Sequence, residues 1–457
     1  MKENKLKSSV MLRMFVTAAV VLFLLILAFI VRSLIYERQQ RRDEAINEVS
    51  QKWGNIQTLI GPILTLPFKK PKKDEKGKTI FYIDYLHIMP EKLQADVELN
   101  PEVRYRGIYE VILYQSLIRL KGSFILPKFE KHGVSPENLI LKEAFITVGI
   151  TDLRGIKNTV TLNWDGKKLP ASPGVKSSDI VKAGVTVFPD VDVSRNEYAF
   201  SVDLRLNGSG EFNIIPVGKE TLVTMSSKWR SPSFIGNFLP ERREISPNGF
   251  RADWSVQHLN RNFPQTWTGC SYTMDNSSFG VKLHLPVDEY QEVTRAVKYA
   301  IMFIVLTFMA FFLTEIFSKA VIHPIQYTLI GLAIILFYVI LLSLSEHIPF
   351  SISYAIASVG IIFMISAYTK SVLKTKRFAF MIGGILTALY LFLFITLQLE
   401  DYSLLLGSIG LFVILAAVMY LTRRIDWFDI GSAGNGQKTP SLEKEEGLLE
   451  MEGKRAM

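Results

Sequence analysis

Charge-free apolar runs long enough to cross a bilayer stand at both ends of this 457-residue chain, and the stretch between them is polar. The first is the eighteen residues MFVTAAVVLFLLILAFIV between Arg13 and Arg32, preceded by Lys2, Lys5, Lys7 and Arg13. It is longer than a signal-peptide core, and Arg32-Ser33-Leu34-Ile35-Tyr36-Glu37 follows it in place of a small-x-small cleavage site. It therefore reads as an uncleaved anchor. Five more runs follow Lys298, at 299–314, 325–345, 348–369, 378–399 and 402–422. The first of the five is short, and spans only if Lys298 and Lys319 snorkel to the two interfaces.

Short loops carry the topological signal. Lys319 lies in one connection, Lys370, Lys374, Lys376 and Arg377 in another, and Arg423 and Arg424 follow the last run. The alternate connections hold Glu346 and His347, or Glu400 and Asp401, with no Lys or Arg. Six spans with this bias place both termini in the cytoplasm and the long middle segment outside it. Arg38, Arg41 and Arg42 oppose that orientation, but long translocated domains answer weakly to the charge rule.

Within the middle segment, Ala45, Ile46, Val49 and Trp53 recur at helical spacing, predicting an amphipathic helix that continues the anchor. From Gly61 the period changes to two. Stretches 62–67 and 79–85 flank the charged KKPKKDEKGK, which reads as a solvated hairpin tip. Further strands are predicted at 109–120, 143–150, 158–164, 198–206, 211–217, 221–229 and 250–259, separated by Gly, Pro, Asn and Asp turns. Many short strands at this spacing favour an antiparallel sandwich. The single cysteine, Cys270, rules out an intramolecular disulfide, so the core must hold this domain together.

The net charge of +9 invites a nucleic-acid reading, but the basic residues flank apolar runs and do not gather on one face. No nucleic-acid partner is expected. The six histidines are scattered, with no HExxH, so no metal and no cofactor is expected. No catalytic residue stands out either. Two residues near the apolar runs are candidates for intramembrane polar function, Glu315 and the nearby His323. His323-Pro324 also reads as a helix start.

Several stretches carry a resemblance. They are Arg106-Gly107-Ile108-Tyr109-Glu110-Val111, Gly149-Ile150-Thr151-Asp152-Leu153-Arg154-Gly155-Ile156, residues 231–240 (SPSFIGNFLP), Asp288-Glu289-Tyr290-Gln291 leading into 295–300, His323-Pro324-Ile325-Gln326-Tyr327, and 337–347. In this order the chain, up to about Arg424, resembles the bacterial CreD family of inner-membrane, cell-envelope-integrity proteins. The resemblance implies a role in envelope stress and no established catalytic activity. It supplies no site residues.

Candidate partner-binding residues are Asp152, Arg154, Trp229, Phe234, Gly236 and Phe238. Asp152 and Arg154, alternating on a strand, read as an ion pair or as a ligand contact. Trp229, Phe234 and Phe238 around Gly236 read as an aromatic loop for a partner or glycan, or as closure of the core.

The expected organisation is a cytoplasmic segment with anchor (1–36), a periplasmic β-rich domain (37–297), a five-helix membrane bundle (298–424) and a disordered cytoplasmic tail (425–457). The lipid bilayer is one partner, and an envelope protein or glycan is the other. The function expected is an inner-membrane envelope-integrity protein whose outer domain binds or scaffolds an envelope component. The rivals are a transporter and an enzyme acting on envelope glycans or lipid-linked substrates. The sequence leaves the oligomeric state open.

Overall fold

The computed structural model describes residues 10–73, 75–76, 78–284, 289–318, 322–399 and 402–423. Lys319, Glu400, Asp401, Arg424, the tail 425–457, and Asp74 and Gly77 of the charged tip lie outside the described residues. The chain divides into two compact units, one made of 1–38 with 288–457 and the other of 39–287.

The first unit is helical. It holds the start of α1 (Val10–Trp53), then α2 (Glu289–Lys298), α3 (Ala300–Ser318), α4 (Pro324–Ser345), α5 (Phe350–Leu373), α6 (Lys376–Gln398) and α7 (Ser403–Thr422). Helices α1, α4, α5, α6 and α7 are each long and apolar enough to cross a membrane. A sixth span arises only if α2 and α3, bent by 45° to one another, count as one. The sequence predicts a single short span at that place, and the structure puts an amphipathic helix before it. Glu289, Glu292, Arg295 and Lys298 forbid an apolar continuation, while Tyr290, Val293, Ala296 and Val297 bury one face of α2 within this unit. Gly331 of α4 lets α1 approach closely, since a Cβ there would lie 2.0 Å from the Cδ1 of the fully buried Leu24.

The second unit is a two-sheet β domain. Its strands are β1 (Gln57–Lys73), β2 (Thr79–Ile88), β3 (Lys92–Arg106), β4 (Tyr109–Ile125), β5 (Phe145–Ile150), β6 (Thr161–Trp164), β7 (Lys167–Pro170), β8 (Ser172–Pro173), β9 (Gly184–Val187), β10 (Glu197–Ser209), β11 (Glu211–Ile215), β12 (Glu220–Ser227), β13 (Pro232–Gly236), β14 (Arg242–Ser246), β15 (Gly249–Gln257), β16 (Thr266–Thr268) and β17 (Phe279–Leu283). One sheet runs β13-β17-β11-β1-β5-β9-β8, with β2 on β1 and β16 on β2; the other runs β14-β15-β12-β3-β4-β10-β6-β7.

A single buried cluster draws from both sheets, with Leu64, Ile146 and Phe212 from one and Leu99, Leu120 and Trp254 from the other. Pairing is antiparallel except at β1 with β11 and β3 with β12, which are parallel. The sandwich is therefore mixed, because β1 and β3 each take a neighbour far along the chain.

Two local expectations change. Lys69–Lys73 is paired strand, matched residue for residue with Thr79–Ile83, so this part of the charged stretch is ladder and not solvated turn. The long strand β3 escapes a hydropathy reading because Lys92, Gln94, Asp96, Glu98 and Asn100 fill its outer face and Pro101 interrupts the inner one, although Leu93, Ala95, Val97 and Leu99 alternate inward.

Candidate functional site

Asp152 lies at a junction built by β5, the loop after α1, and β10. The chain leaves β5 at Ile150 and closes a short 3-10 turn over Leu153–Gly155, so Asp152 caps a turn and does not share a strand face with Arg154. The predicted pair nevertheless forms: Arg154 Nε and Nη2 donate to Asp152 Oδ1 and Oδ2 at 2.9 and 2.8 Å. The Arg154 and Asn55 backbone N–H groups donate to the same carboxylate at 3.1 and 3.0 Å. Gln57 closes the knot by donating from Nε2 to the carbonyls of Asp152 and Asn207 at 2.9 and 3.0 Å.

Burial alone would raise the Asp152 pKa. The hydrogen bonds from Arg154 and from the Asn55 amide outweigh it and hold the carboxyl below its ordinary value. With every carboxylate oxygen engaged, this arrangement fastens three segments together.

The aromatic candidates lie where an edge strand of each sheet ends the sandwich. Phe234, on β13, packs edge-on against Phe250 and Trp254, and Phe238 packs edge-on against Phe279. Trp254 Nε1 donates to the Phe238 carbonyl at 3.1 Å, and Trp229 Nε1 to the His284 carbonyl at 3.1 Å. All three aromatics are half-buried against the core and close it. Gly236 has φ of +93°, and a Cβ there would meet the Ser278 carbonyl oxygen at 2.2 Å, so only glycine fits this turn.

What remains open at this end is a different set of residues. Leu239 is 75% exposed and Ile245, on β14, is 52% exposed, and Arg230, Arg242 and Arg243 of the same stretch of chain are exposed as well. Sequence reasoning missed these because single apolar residues among charges carry no period.

In the helical unit, Glu315 accepts from Tyr327 Oη at 3.1 Å. His323 caps α4: its Nδ1 accepts from the Ile325 N–H at 3.3 Å, its own N–H donates to Gln326 Oε1 at 2.9 Å, and Pro324 takes the first helical position. Glu346 was not singled out from sequence, yet its carboxylate accepts from Tyr290 Oη at 3.0 Å and lies 3.8 Å from Arg38 Nη1. The available signal was an acidic residue in a short loop between apolar runs.

A second missed cluster is in the β domain. His87, buried on β2, has Nδ1 3.0 Å from Thr65 Oγ1 and Nε2 3.4 Å from Asp179 Oδ2. Its residues come from three separated segments, which no local pattern reveals. Among the described residues no group of three His, Cys, Asp or Glu side chains is placed to hold a metal.

These features define a multi-span membrane protein that carries a large, internally fastened β-sandwich domain. The family model described as Inner membrane protein CreD matches residues 9–428. The inner membrane protein CreD of Escherichia coli (strain K12) is 33% identical over 428 residues, which is 93% of this chain and 95% of that protein. The chain belongs to the CreD family of inner membrane proteins. Neither description names a reaction.

Proposed function

We propose that this protein is a non-catalytic envelope component whose β domain stands in the periplasm, with both chain termini in the cytoplasm, and engages an envelope protein or glycan. The observation that carries the reading is the edge formed by β13 and β14. Leu239 and Ile245 are exposed there, on an arginine-bearing segment whose aromatic residues are already locked into the core. Apolar contacts interspersed with charge along a rigid support suit recognition better than chemistry. The orientation rests on the distribution of Lys and Arg among the short loops.

Two experiments test this. Cys270 is the single cysteine and is exposed, so a membrane-impermeant maleimide added to intact cells with a permeabilised outer membrane labels it if the β domain is periplasmic. Labelling only after lysis overturns the orientation. Photo-crosslinkers at Leu239 and Ile245 should capture one recurrent envelope protein or glycan. Capture of nothing there, with a small solute captured at Glu315, overturns the binding reading in favour of transport.

A further inference from the structure

The β1–β2 hairpin continues past the body of the β domain. Beyond Phe68, which still bridges to Leu139, the residues Lys69–Lys73 pair only with Thr79–Ile83 among the described residues. On the other side, β16 reaches β2 only at Leu86–Ile88. Five residue pairs therefore project as a two-stranded ribbon roughly 17 Å long.

An ordinary solvated hairpin would carry polar residues here. Instead Ile80, Phe81, Tyr82 and Ile83 run consecutively and are 46, 61, 42 and 52% exposed. Four successive strand residues put apolar groups on both faces, Ile80 and Tyr82 on one and Phe81 and Ile83 on the other. Lysines stand directly opposite: Lys72 across from Ile80, Lys70 from Tyr82 and Lys69 from Ile83. Lys70 is held by Asp84 at 2.8 Å, while Lys69, Lys72 and Lys73 are exposed. Between residues 69 and 83 the sequence has six lysines against one aspartate and one glutamate.

We propose that this ribbon is a lipid anchor, dipping Ile80, Phe81, Tyr82 and Ile83 into the surface of an anionic bilayer while Lys69, Lys72 and Lys73 bind lipid phosphates. The charge pattern selects this occupant. Lysine is depleted at protein–protein interfaces, whereas lysine with aliphatic and aromatic groups is what an anionic headgroup region attracts. A second copy adding a strand to the β1 edge would meet Pro71 and the lysines, the residues that block edge pairing. The reach suffices, since interfacial insertion needs only about 5–10 Å of depth. The proposal is independent of the partner-binding edge at β13 and β14.

The test uses the full chain with Cys270→Ser and Phe81→Cys, labelled with an environment-sensitive dye and reconstituted into vesicles of phosphatidylethanolamine and phosphatidylglycerol. Phe81 is exposed, so the label leaves the fold intact, and Ile83→Cys on the same face serves as a second site. The dye should shift to the blue and be quenched by nitroxide lipids, placed either in the host bilayer or in added vesicles. The location that quenches identifies which lipid surface the ribbon meets. Lys69→Gln, Lys72→Gln and Lys73→Gln together should cut that quenching on the order of tenfold or more, as should phosphatidylcholine vesicles. A dye that stays open to aqueous iodide in anionic vesicles overturns the proposal. So does shielding that grows with protein density and ignores nitroxide lipid, which would assign the ribbon to a second copy.

Discussion

The β domain and the helix bundle bury polar groups in opposite ways. In the β domain many are long-range and some are charged: Gln57 ties residues 95 and 150 positions away, Asp152 accepts from the Asn55 amide, and the buried Arg261 donates to the Val217 carbonyl. In the bundle, buried threonine hydroxyls turn back on their own helix, while tyrosine hydroxyls make the links between elements, as Tyr354 Oη does to the Tyr390 carbonyl at 2.7 Å. Thr314 donates to Ala310, Thr369 to Ile365 and Thr396 to Phe392, each at 2.7–2.8 Å.

The difference follows from the solvent. A helix in lipid satisfies its backbone internally and gains nothing from an imported charge, so its charges gather at the ends. A sheet domain in water has loops and crossovers whose carbonyls and amides need partners, and side chains supply them.

The sharpest test of that contrast is Arg261. Its guanidinium donates to the carbonyls of Phe263 and Val217, both at 3.1 Å, and of Gly218 at 3.4 Å, and it lies 4.0 Å over the Phe263 ring. Burial pulls its pKa down to about 10, so it stays protonated at neutral pH. Arg261→Ala strands three carbonyls and opens a cavity. We expect a loss of about 3 kcal/mol of local stability, read as faster hydrogen exchange across β12 and β15. An unchanged exchange pattern would mean water replaces the guanidinium freely.

Asp152→Ala comes next, at about 2 kcal/mol, because it leaves the Asn55 and Arg154 amides without their acceptor while the exposed Arg154 head recovers solvation. Asp152→Asn, which keeps an acceptor, should recover part of this in the same exchange measurement.

How much of this contrast could be read from the chain depends on range. The apolar helices α1, α4, α5, α6 and α7 were legible because lipid imposes a local rule, whereas α2 was missed, its charges hiding a helix that packs on one face. Strands with clean alternation, such as β4 and β10, were legible within a few residues, whereas β3 was lost behind its charged face. At the candidate sites the Asp152–Arg154 pair was visible because its members are neighbours. The roles of Gln57, Asn207, Asp179 and Arg261 were not, since each acts across a distance that only the fold closes.

A smaller effect is expected from pH. Burial drives the His87 pKa down, against the pull of Asp179, so the folded domain prefers a neutral ring. The unfolded chain then binds the extra proton first as pH falls through the ordinary imidazole value near 6.5. The His87 contribution is present above that pH and lost below it. His87→Gln should flatten the slope of β-domain stability between about pH 7 and pH 5. A slope that survives the substitution would assign it to other groups. Asp152 behaves likewise but lower, its contribution present above the ordinary carboxylate range and lost only as pH falls through its depressed folded value.

The smallest effect tests the bundle's side of the contrast. Thr396 is buried, yet its hydroxyl is committed to the Phe392 carbonyl, which the helix already engages. Thr396→Val removes that bond, keeps the shape and leaves no orphan in a neighbouring helix. Polar contacts in membranes average only about 0.6 kcal/mol, and one confined to a single helix should fall below that. Helix-bundle resistance to denaturing detergent should therefore stay within about 0.5 kcal/mol of the parent. A loss as large as that from Asp152→Ala would show that the bundle relies on Thr396 across helices, and the two regions would then obey one rule.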